Sequence, residues 1–183
     1  MSDNPTFLHT FTTLFKRMLA EEVYTTFPAK IVSYSDGKAE IQPLVSRVYK
    51  NGESVTPEPI QNVPVIQPQT SNAIFKMPIN EDDTGLAICT KTSLDSWLTG
   101  GEYSIQSIDR QFEMSDVVFI AGLIPFGNSD LTSNNDDLEI IFNDTNIKIK
   151  ADGSIELDNG SGSIILGSDG SVDINSGNFK VIA

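Results

Sequence analysis

The sequence has few of the residues from which active sites and crosslinks are usually built. Among its 183 residues there are one cysteine, one histidine and one tryptophan. A single cysteine, Cys89, excludes an intrachain disulfide. A single histidine, His9, provides no imidazole pair for a metal ion and no partner for a catalytic nucleophile. We therefore expect a protein that is not an enzyme and that holds no cofactor.

Basic residues and long apolar runs are also scarce. The 12 Lys and Arg residues face 25 Asp and Glu residues, which gives a formal net charge of −13 at pH 7. Such a surface repels phosphate backbones, so we expect no nucleic acid partner. Apolar runs such as 117–120 are far shorter than the roughly 20 residues of a membrane span. The N-terminus lacks the basic-then-apolar order of a signal peptide, so we expect synthesis and folding in a cytoplasm.

The distribution of proline divides the chain. All nine prolines lie at or before Pro125, and residues 131–183 contain two aromatic residues, Phe142 and Phe179. The tail is instead rich in Asn, Asp, Gly and Ser, which marks a change of architecture. The predicted segments are a helical segment 1–25, a β-domain 26–126, a linker 127–137 and a repeat region 138–183.

The first segment has the apolar spacing of an amphipathic helix. Apolar residues recur every three or four positions from Phe7 to Leu19. Asn4 suits the N-cap, and Pro5 suits the first turn. Two interpretations stay open: a helix that packs on its own domain, or one that docks onto neighbouring subunits. A free stripe containing three phenylalanines would be an adhesive patch.

Residues 26–126 have the pattern of a small β-domain. Short runs of alternating apolar residues are separated by turn residues. The Asp36-Gly37 pair between two such runs predicts a hairpin. About five short strands in this length predict a small sandwich or barrel, and residues 94–98 predict a helical turn.

The tail is a repeat. From Asn146 onward, units of about eight residues each combine a short strand carrying two apolar residues with a turn of Gly, Asp or Asn. This regularity is typical of a β-solenoid. The predicted inward residues are Ile147 and Ile149, Ile155 and Leu157, Ile164 and Leu166, Val172 and Ile174, and Phe179 and Val181.

These units are too small to fold alone. Burying the two apolar residues of one unit contributes about 3–5 kcal/mol, whereas ordering eight residues costs on the order of 12 kcal/mol. We therefore predict a homotrimer in which three chains intertwine as a triple-stranded β-helix, with strands pairing between chains and no free sheet edges. The predicted fold class is mainly β, with an N-terminal helix, a barrel and this trimeric needle.

Four short motifs occur in order between residues 27 and 125. They include Asn62-Val63-Pro64-Val65 and Ser93-Leu94-Asp95-Ser96-Trp97-Leu98. In this order the segment resembles the central-spike family of contractile phage tails, the membrane-puncturing proteins. The motif residues are Pro59, Asn62, Pro64, Pro78, Gly85, Ser93, Asp95, Trp97, Arg110, Ser115, Asp116, Gly122 and Pro125.

The resemblance implies both a fold and a function. Central spikes carry an OB-type barrel followed by a trimeric β-helix needle. They lie in the virion at the distal end of the tail and pierce the bacterial outer membrane mechanically when the tail contracts. The implied partners are two further copies of the chain, baseplate hub or tail tube proteins, the outer membrane as target and, where the tip is blunt, a separate capping protein.

Two features depart from the family. Asp82 stands where central spikes usually carry glycine. Many relatives also end in a His-x-His pair, and three chains then hold an iron at the tip. Residues 178–183 contain no histidine, so the tip iron is not expected here. Some relatives insert a lysozyme between barrel and needle, but the linker 127–137 is too short for one.

A second function stays open. The chain could be a tail-fibre or adhesin-like trimer whose OB-type barrel binds a glycan or another virion subunit, since such barrels often bind oligosaccharides or oligonucleotides. A direct glycan-binding assay separates this hypothesis from a purely mechanical spike.

Overall fold

A computed structural model of the chain describes residues 7–48, 52–100, 102–103, 111–128 and 136–177. The chain divides into two units, Met1–Phe126 and Gly127–Ala183. Several predicted features lie outside the described residues: Asn4, Pro5, Arg110, Phe179, Val181 and most of the linker.

The first unit begins with helix α1 and continues as a mainly β structure. Helix α1 spans Phe7–Glu22, inside the range that the apolar spacing predicted. The elements that follow are β1 Thr26–Ser35, β2 Lys38–Pro43, β3 Arg47–Val48, β4 Ser54–Val55, β5 Ile60–Pro64, β6 Thr84–Cys89, α2 Asp95–Leu98, β7 Val117–Ala121 and a 3-10 turn Phe126–Asn128.

Five of these strands form an antiparallel sheet in the order β5-β2-β1-β6-β7, and β3 pairs with β4. The predicted hairpin joins β1 to β2, and both Asp36 and Gly37 have the positive φ of a tight two-residue turn. Just beyond β5, Val65 makes a parallel bridge to Phe119 in β7, and the Ile66 N–H donates to the Phe119 carbonyl oxygen at 2.8 Å. The sheet therefore curls into a half-barrel, and its two edge strands, β5 and β7, approach each other at this point.

The core of the half-barrel comes from the alternation of its strands. Every second side chain of β1 and β2 points inward, and Phe119 of β7 is completely buried. Cys89 is also buried, as expected for a small apolar residue in a strand, and burial raises the pKa of its thiol to about 11. The buried apolar residues are Phe27, Ala29, Ile31, Ala39, Ile41, Val63, Ala87, Cys89, Val117 and Phe119.

The second unit is a five-stranded antiparallel meander. Its strands follow sequence order across the sheet, because turns of two to five residues connect each strand to the next. The strands are β8 Leu138–Phe142, β9 Thr145–Ile149, β10 Ile155–Asp158, β11 Ser163–Leu166 and β12 Val172–Ile174, followed by a 3-10 turn Asn175–Gly177.

The pairing in this unit differs from the predicted intertwining. The sequence predicted that the strands would pair between chains, but each strand pairs with the next strand of its own chain. The physical reason is the short turns: a connection of two to five residues returns the chain directly alongside the preceding strand.

Candidate assembly surface

The second sheet has one apolar side, on which ten aliphatic side chains form two rows. Alternate residues of a strand point to the same side, and the register aligns them across strands. Ile147 lies opposite Ile140 and Leu157, its neighbours on either side. The first row is Ile140, Ile147, Leu157, Ile164 and Ile174, and the second row is Leu138, Ile149, Ile155, Leu166 and Val172. We call these ten residues the apolar face.

In a single chain the apolar face is uncovered. None of its ten residues is buried, and eight of them expose between 38 and 63% of their surface. A contiguous apolar surface of this kind marks a contact with another molecule. Eight of the ten residues that the repeat predicted as inward lie on this face, and the other two, Phe179 and Val181, lie outside the described residues.

The opposite face of the same sheet is charged and internally paired. Lys148 Nζ lies 2.6 Å from Oε1 of Glu139, its cross-strand neighbour, and Lys150 Nζ lies 2.8 Å from Glu156 Oε2. Hydrogen bonds to these carboxylates raise the pKa of both lysines. Charged pairs of this kind keep their hydration at a surface, so we expect this face to be in contact with solvent. We call it the charged face.

Two turns of the sheet are built in the same way. In the first, the Lys150 N–H donates to the Ser154 carbonyl oxygen, and the Gly153 N–H donates back to the Lys150 carbonyl oxygen, each at 2.9 Å. In the second, Gly167, Gly170 and Ser171 make the same two bonds at 2.9 Å or less. Equivalent turns therefore recur after every second unit of the repeat, 17 residues apart.

Side chains also join one turn to another. The Ser163 N–H donates to Asn175 Oδ1 at 2.9 Å, and the Ala151 N–H donates to Asp137 Oδ1 at 2.9 Å. These bonds link residues 12 and 14 positions apart in the chain. They hold the ends of the strands in a fixed arrangement and stiffen the sheet.

The sequence missed two residues of the apolar face, Leu138 and Ile140. Their alternation is hidden because Ile140, Ile141 and Phe142 form a continuous apolar run. The turn after them has two residues, Asn143 and Asp144, rather than the longer glycine turn of the later units. The sequence signal that could have found them is the alternation of Leu138 and Ile140 followed by Asn143. Asparagine is a residue type that tolerates the positive φ found at this position.

A second uncovered apolar surface lies on helix α1. The described side chains from Phe7 to Leu19 are all exposed. Phe11 lies between Phe7 and Phe15, with ring centroids 6.2 and 6.3 Å away, so the three rings stack along one face. In the described chain the helix does not bury this stripe on its own domain, which favours the docking interpretation of the two that the sequence left open.

Several motif residues of the half-barrel have a structural role: they permit a close approach of strands, adopt a positive φ or hold a backbone hydrogen bond. A Cβ at Gly85 would collide with the Ile120 carbonyl oxygen of the neighbouring strand, and Gly122 has a φ of 109°, which favours glycine. Asn62 has a φ of 59° within β5, where the pairing with β2 is irregular. Asp116 is buried, and its carbonyl oxygen accepts the Thr90 N–H at 2.8 Å.

The other motif residues do not converge on one point. Ser93, Asp95 and Trp97 lie at α2, and Ser115 and Asp116 immediately precede β7. Pro59 and Pro64 lie at the two ends of β5, and Pro78 and Pro125 lie in connections. Arg110 lies outside the described residues.

Trp97 borders a cleft in the first unit. The cleft has a volume of about 500 Å³, and its walls include Tyr34, Ile66, Ile74 and Lys76. Trp97 itself is 56% exposed. An exposed indole beside an apolar cleft can pack against a protein or stack on a sugar ring.

A comparison with known families identifies the first unit. The family described as the phage protein Gp138 N-terminal domain matches residues 27–122, which is more than half of the chain. The chain belongs to this family. It is therefore a phage protein, and the family indicates a structural component of the virion. No curated protein matches the chain.

The Gp138 N-terminal match covers the half-barrel, from Phe27 in β1 to Gly122 after β7. Helix α1 and the second sheet lie outside it. The apolar face and the phenylalanine stripe are therefore features that the physical chemistry of this chain must explain by itself.

Asp82 stands where central spikes usually carry glycine, and it adopts the positive-φ backbone conformation that glycine favours. Its φ is 67°, and its N–H donates to the Ile31 carbonyl oxygen at 2.9 Å. Asp82 Oδ1 also lies 2.6 Å from Lys30 Nζ, which raises the pKa of that lysine. The turn is thus formed despite the substitution, because aspartate is among the residues that tolerate this region.

The described residues contain neither a membrane-spanning helix nor a cluster of metal ligands. No helix there is long and apolar enough to cross a membrane. In the same part of the chain, no three His, Cys, Asp or Glu side chains come together as a metal site requires.

Proposed function

We propose that three copies of this chain form the central spike of a contractile phage tail, which pierces the bacterial outer membrane mechanically when the tail contracts. The second sheets of the three copies form the needle. The half-barrels connect the needle to baseplate hub or tail tube proteins. The chain performs no chemistry, and its tip holds no iron because no His-x-His pair is present in the sequence.

The uncovered apolar face carries this proposal. It extends across all five strands of the second sheet, with its residues on one side and the charged pairs on the other. Burying the exposed part of each Ile or Leu contributes on the order of 1 kcal/mol. A homotrimer in which the apolar faces meet buries all of them and leaves the charged faces in water.

The strand order of the half-barrel supports an OB-type barrel. Strands β1, β2 and β5 are neighbours in the sheet, β6 pairs with the other edge of β1, and β7 approaches β5 in parallel near Val65. This arrangement fits a five-stranded, partly open barrel. Together with the family of phage proteins, it supports a place in the tail rather than a free enzyme.

The construction of the sheet supports a mechanical role. Its turns are short and internally hydrogen-bonded, and the bonds from Ser163 to Asn175 and from Ala151 to Asp137 connect segments that are neighbours at one end of the strands. A needle must transmit an axial force without bending or unravelling. Short hydrogen-bonded turns with few free residues provide that stiffness.

Two measurements test the proposal. Light scattering on the purified 20.0 kDa chain should give the mass of three chains, and labelled antibody should locate the protein at the distal end of the tail axis in intact particles. Metal analysis of the trimer should find no stoichiometric iron. A stable monomer at micromolar concentration, or a position at a fibre tip, would contradict the proposal.

A second function, glycan binding by the first unit, is favoured by the cleft beside Trp97. A glycan array probed with the intact protein tests it. Binding that is lost in Trp97→Ala, with the oligomeric mass unchanged, would support an adhesin. Absence of binding to every glycan on the array would contradict this second function.

A further inference from the structure

The inner strands of the second sheet have no free edge for another chain. Strand β10 pairs with β9 along one edge and with β11 along the other, both within the same chain. Strands β9 and β11 are likewise paired on both edges. Because each strand has two edges, these three strands cannot also pair with strands of other copies.

The three inner strands can therefore meet another copy only through their faces, and edge pairing is left to the outer strands β8 and β12. The second sheet has two faces, and the charged face already pairs its lysines with Glu139 and Glu156. Turning that face inward would remove these charges from water at a large cost. The apolar face has no such cost, so it is the face that a second copy covers.

The two rows of the apolar face differ in their surroundings. The first row borders a groove of about 530 Å³, lined by Ile147, Leu157 and Ile164 and bounded by the loop from Asn159 to Gly162. The second row borders the two compact turns at residues 150–154 and 167–171. Since one side is concave and the other compact, a contact between unlike sides fits best, and repeated contacts between unlike sides form a closed ring of three when each contact rotates the next copy by one third of a turn.

We propose that the needle is a triangular prism in which each face is the sheet of one chain, with the three apolar faces inside and the chains not interleaved. In each copy the second row and its turns lie against the groove of the next copy. Each strand then contributes two apolar side chains to one level, and successive levels are about 4.8 Å apart along the axis. This inference rests on the proposed trimer and specifies how its chains are arranged.

An engineered disulfide distinguishes the prism from intertwined chains. Glu156 in β10 and Ile165 in β11 lie directly opposite each other on the charged face of one chain. Their distance should allow a disulfide when both are replaced by cysteine. The variant is Glu156→Cys/Ile165→Cys in a Cys89→Ser background, oxidised as the intact full-length protein.

In the prism, the oxidised protein runs as a single chain on a non-reducing denaturing gel and has no free thiols. Covalent dimers or trimers would show that the two strands come from different chains, and free thiols after oxidation would show that the strands are not paired. Either result overturns the prism. Glu156→Cys and Ile165→Cys alone, in the same background, serve as controls and should keep one free thiol per chain.

Light scattering on the same oxidised sample separates this inference from the proposed function. A trimer with covalent links between chains overturns the prism and leaves the trimeric spike standing. A monomer with an intrachain disulfide contradicts the trimer itself. A trimer whose chains separate completely in denaturant, with the disulfide intact, supports both.

Discussion

Asp152 and Asp169 occupy the same place in two equivalent turns, seventeen residues apart. Asp152 Oδ1 accepts the Ser154 N–H at 2.8 Å, and Asp169 Oδ1 accepts the Ser171 N–H at 2.9 Å. Because an antiparallel meander alternates its connections, both turns lie at the same end of the strands. They are repeated anchors of one edge of the proposed needle.

Acid should weaken these two turns. Hydrogen bonds from Ser154 and Ser171 hold the pKa of each carboxyl below its ordinary value of 3.8. A lowered pKa stabilises the fold fully above pH 3.8, and this contribution is lost as the pH falls through the lowered value. We expect Asp152→Asn/Asp169→Asn to lose less stability than wild type between pH 5 and pH 2, measured by thermal unfolding. An unchanged pH dependence would contradict this role.

The apolar face predicts opposite results for two neighbouring isoleucines. Ile164→Lys places an ammonium in the contact between copies, where it has no counter-charge, so the trimer should dissociate or lose most of its heat resistance. Ile165→Lys lies on the charged face opposite Glu156 and Asp173, where it should be tolerated. Light scattering and melting temperature compare the two variants. Equal behaviour would mean that the two faces are wrongly assigned.

The half-barrel and helix α1 should respond differently to the loss of a phenyl ring. Phe119 is completely buried, so Phe119→Ala should cost about 3–5 kcal/mol in the free energy of unfolding of the first unit. Phe11 is exposed on α1, so Phe11→Ala should change it by less than about 0.5 kcal/mol. Denaturant unfolding measures both. A large loss in Phe11→Ala would show that the phenyl ring is packed, and a loss that does not depend on protein concentration would place that contact on its own domain.

Asp82 offers a test of backbone strain. Asp82→Gly removes the cost of a positive φ, which is about 1 kcal/mol or more for most residues with a side chain, but it also removes the contact with Lys30. Asp82→Ala removes the same contact and keeps the strain. We therefore expect Asp82→Gly to be more stable than Asp82→Ala in denaturant unfolding. The reverse order would mean that φ at this position does not limit stability.

Local features of the fold could be predicted from the sequence, because they depend on residues close together in the chain. The two-residue period put Ile155 and Leu157 on one face, and Asp36-Gly37 predicted the first hairpin. The pairing of strands was less accessible. Turn length and hydrogen bonding between segments decide whether β10 pairs with its own chain or another, and the eight-residue spacing fits both arrangements.

A barrel was among the predictions, but the residues at which its sheet closes could not be predicted. The bridge from Val65 to Phe119 joins residues far apart in the sequence. Neither a valine nor a phenylalanine indicates which distant residue it will pair with. The assembly surface was only partly predicted, because the continuous run from Ile140 to Phe142 concealed the start of the apolar face. The trimer and the role in membrane piercing stay predictions, with the face that the second sheet leaves uncovered as their physical basis.

The meander also has a consequence for how the protein is made. Each strand of the second sheet pairs with its neighbour in sequence, so loops of five residues or fewer close its hairpins. Hairpins of this kind form in about 1–10 µs, and folds with local contacts form quickly. The hairpins can therefore begin to form within one chain in the interval before it meets other copies, whereas the sheet is stabilised only by assembly, a separate step that buries the apolar faces and depends on concentration. During that interval, the net charge of −13 keeps the chains apart and delays random association of their apolar faces.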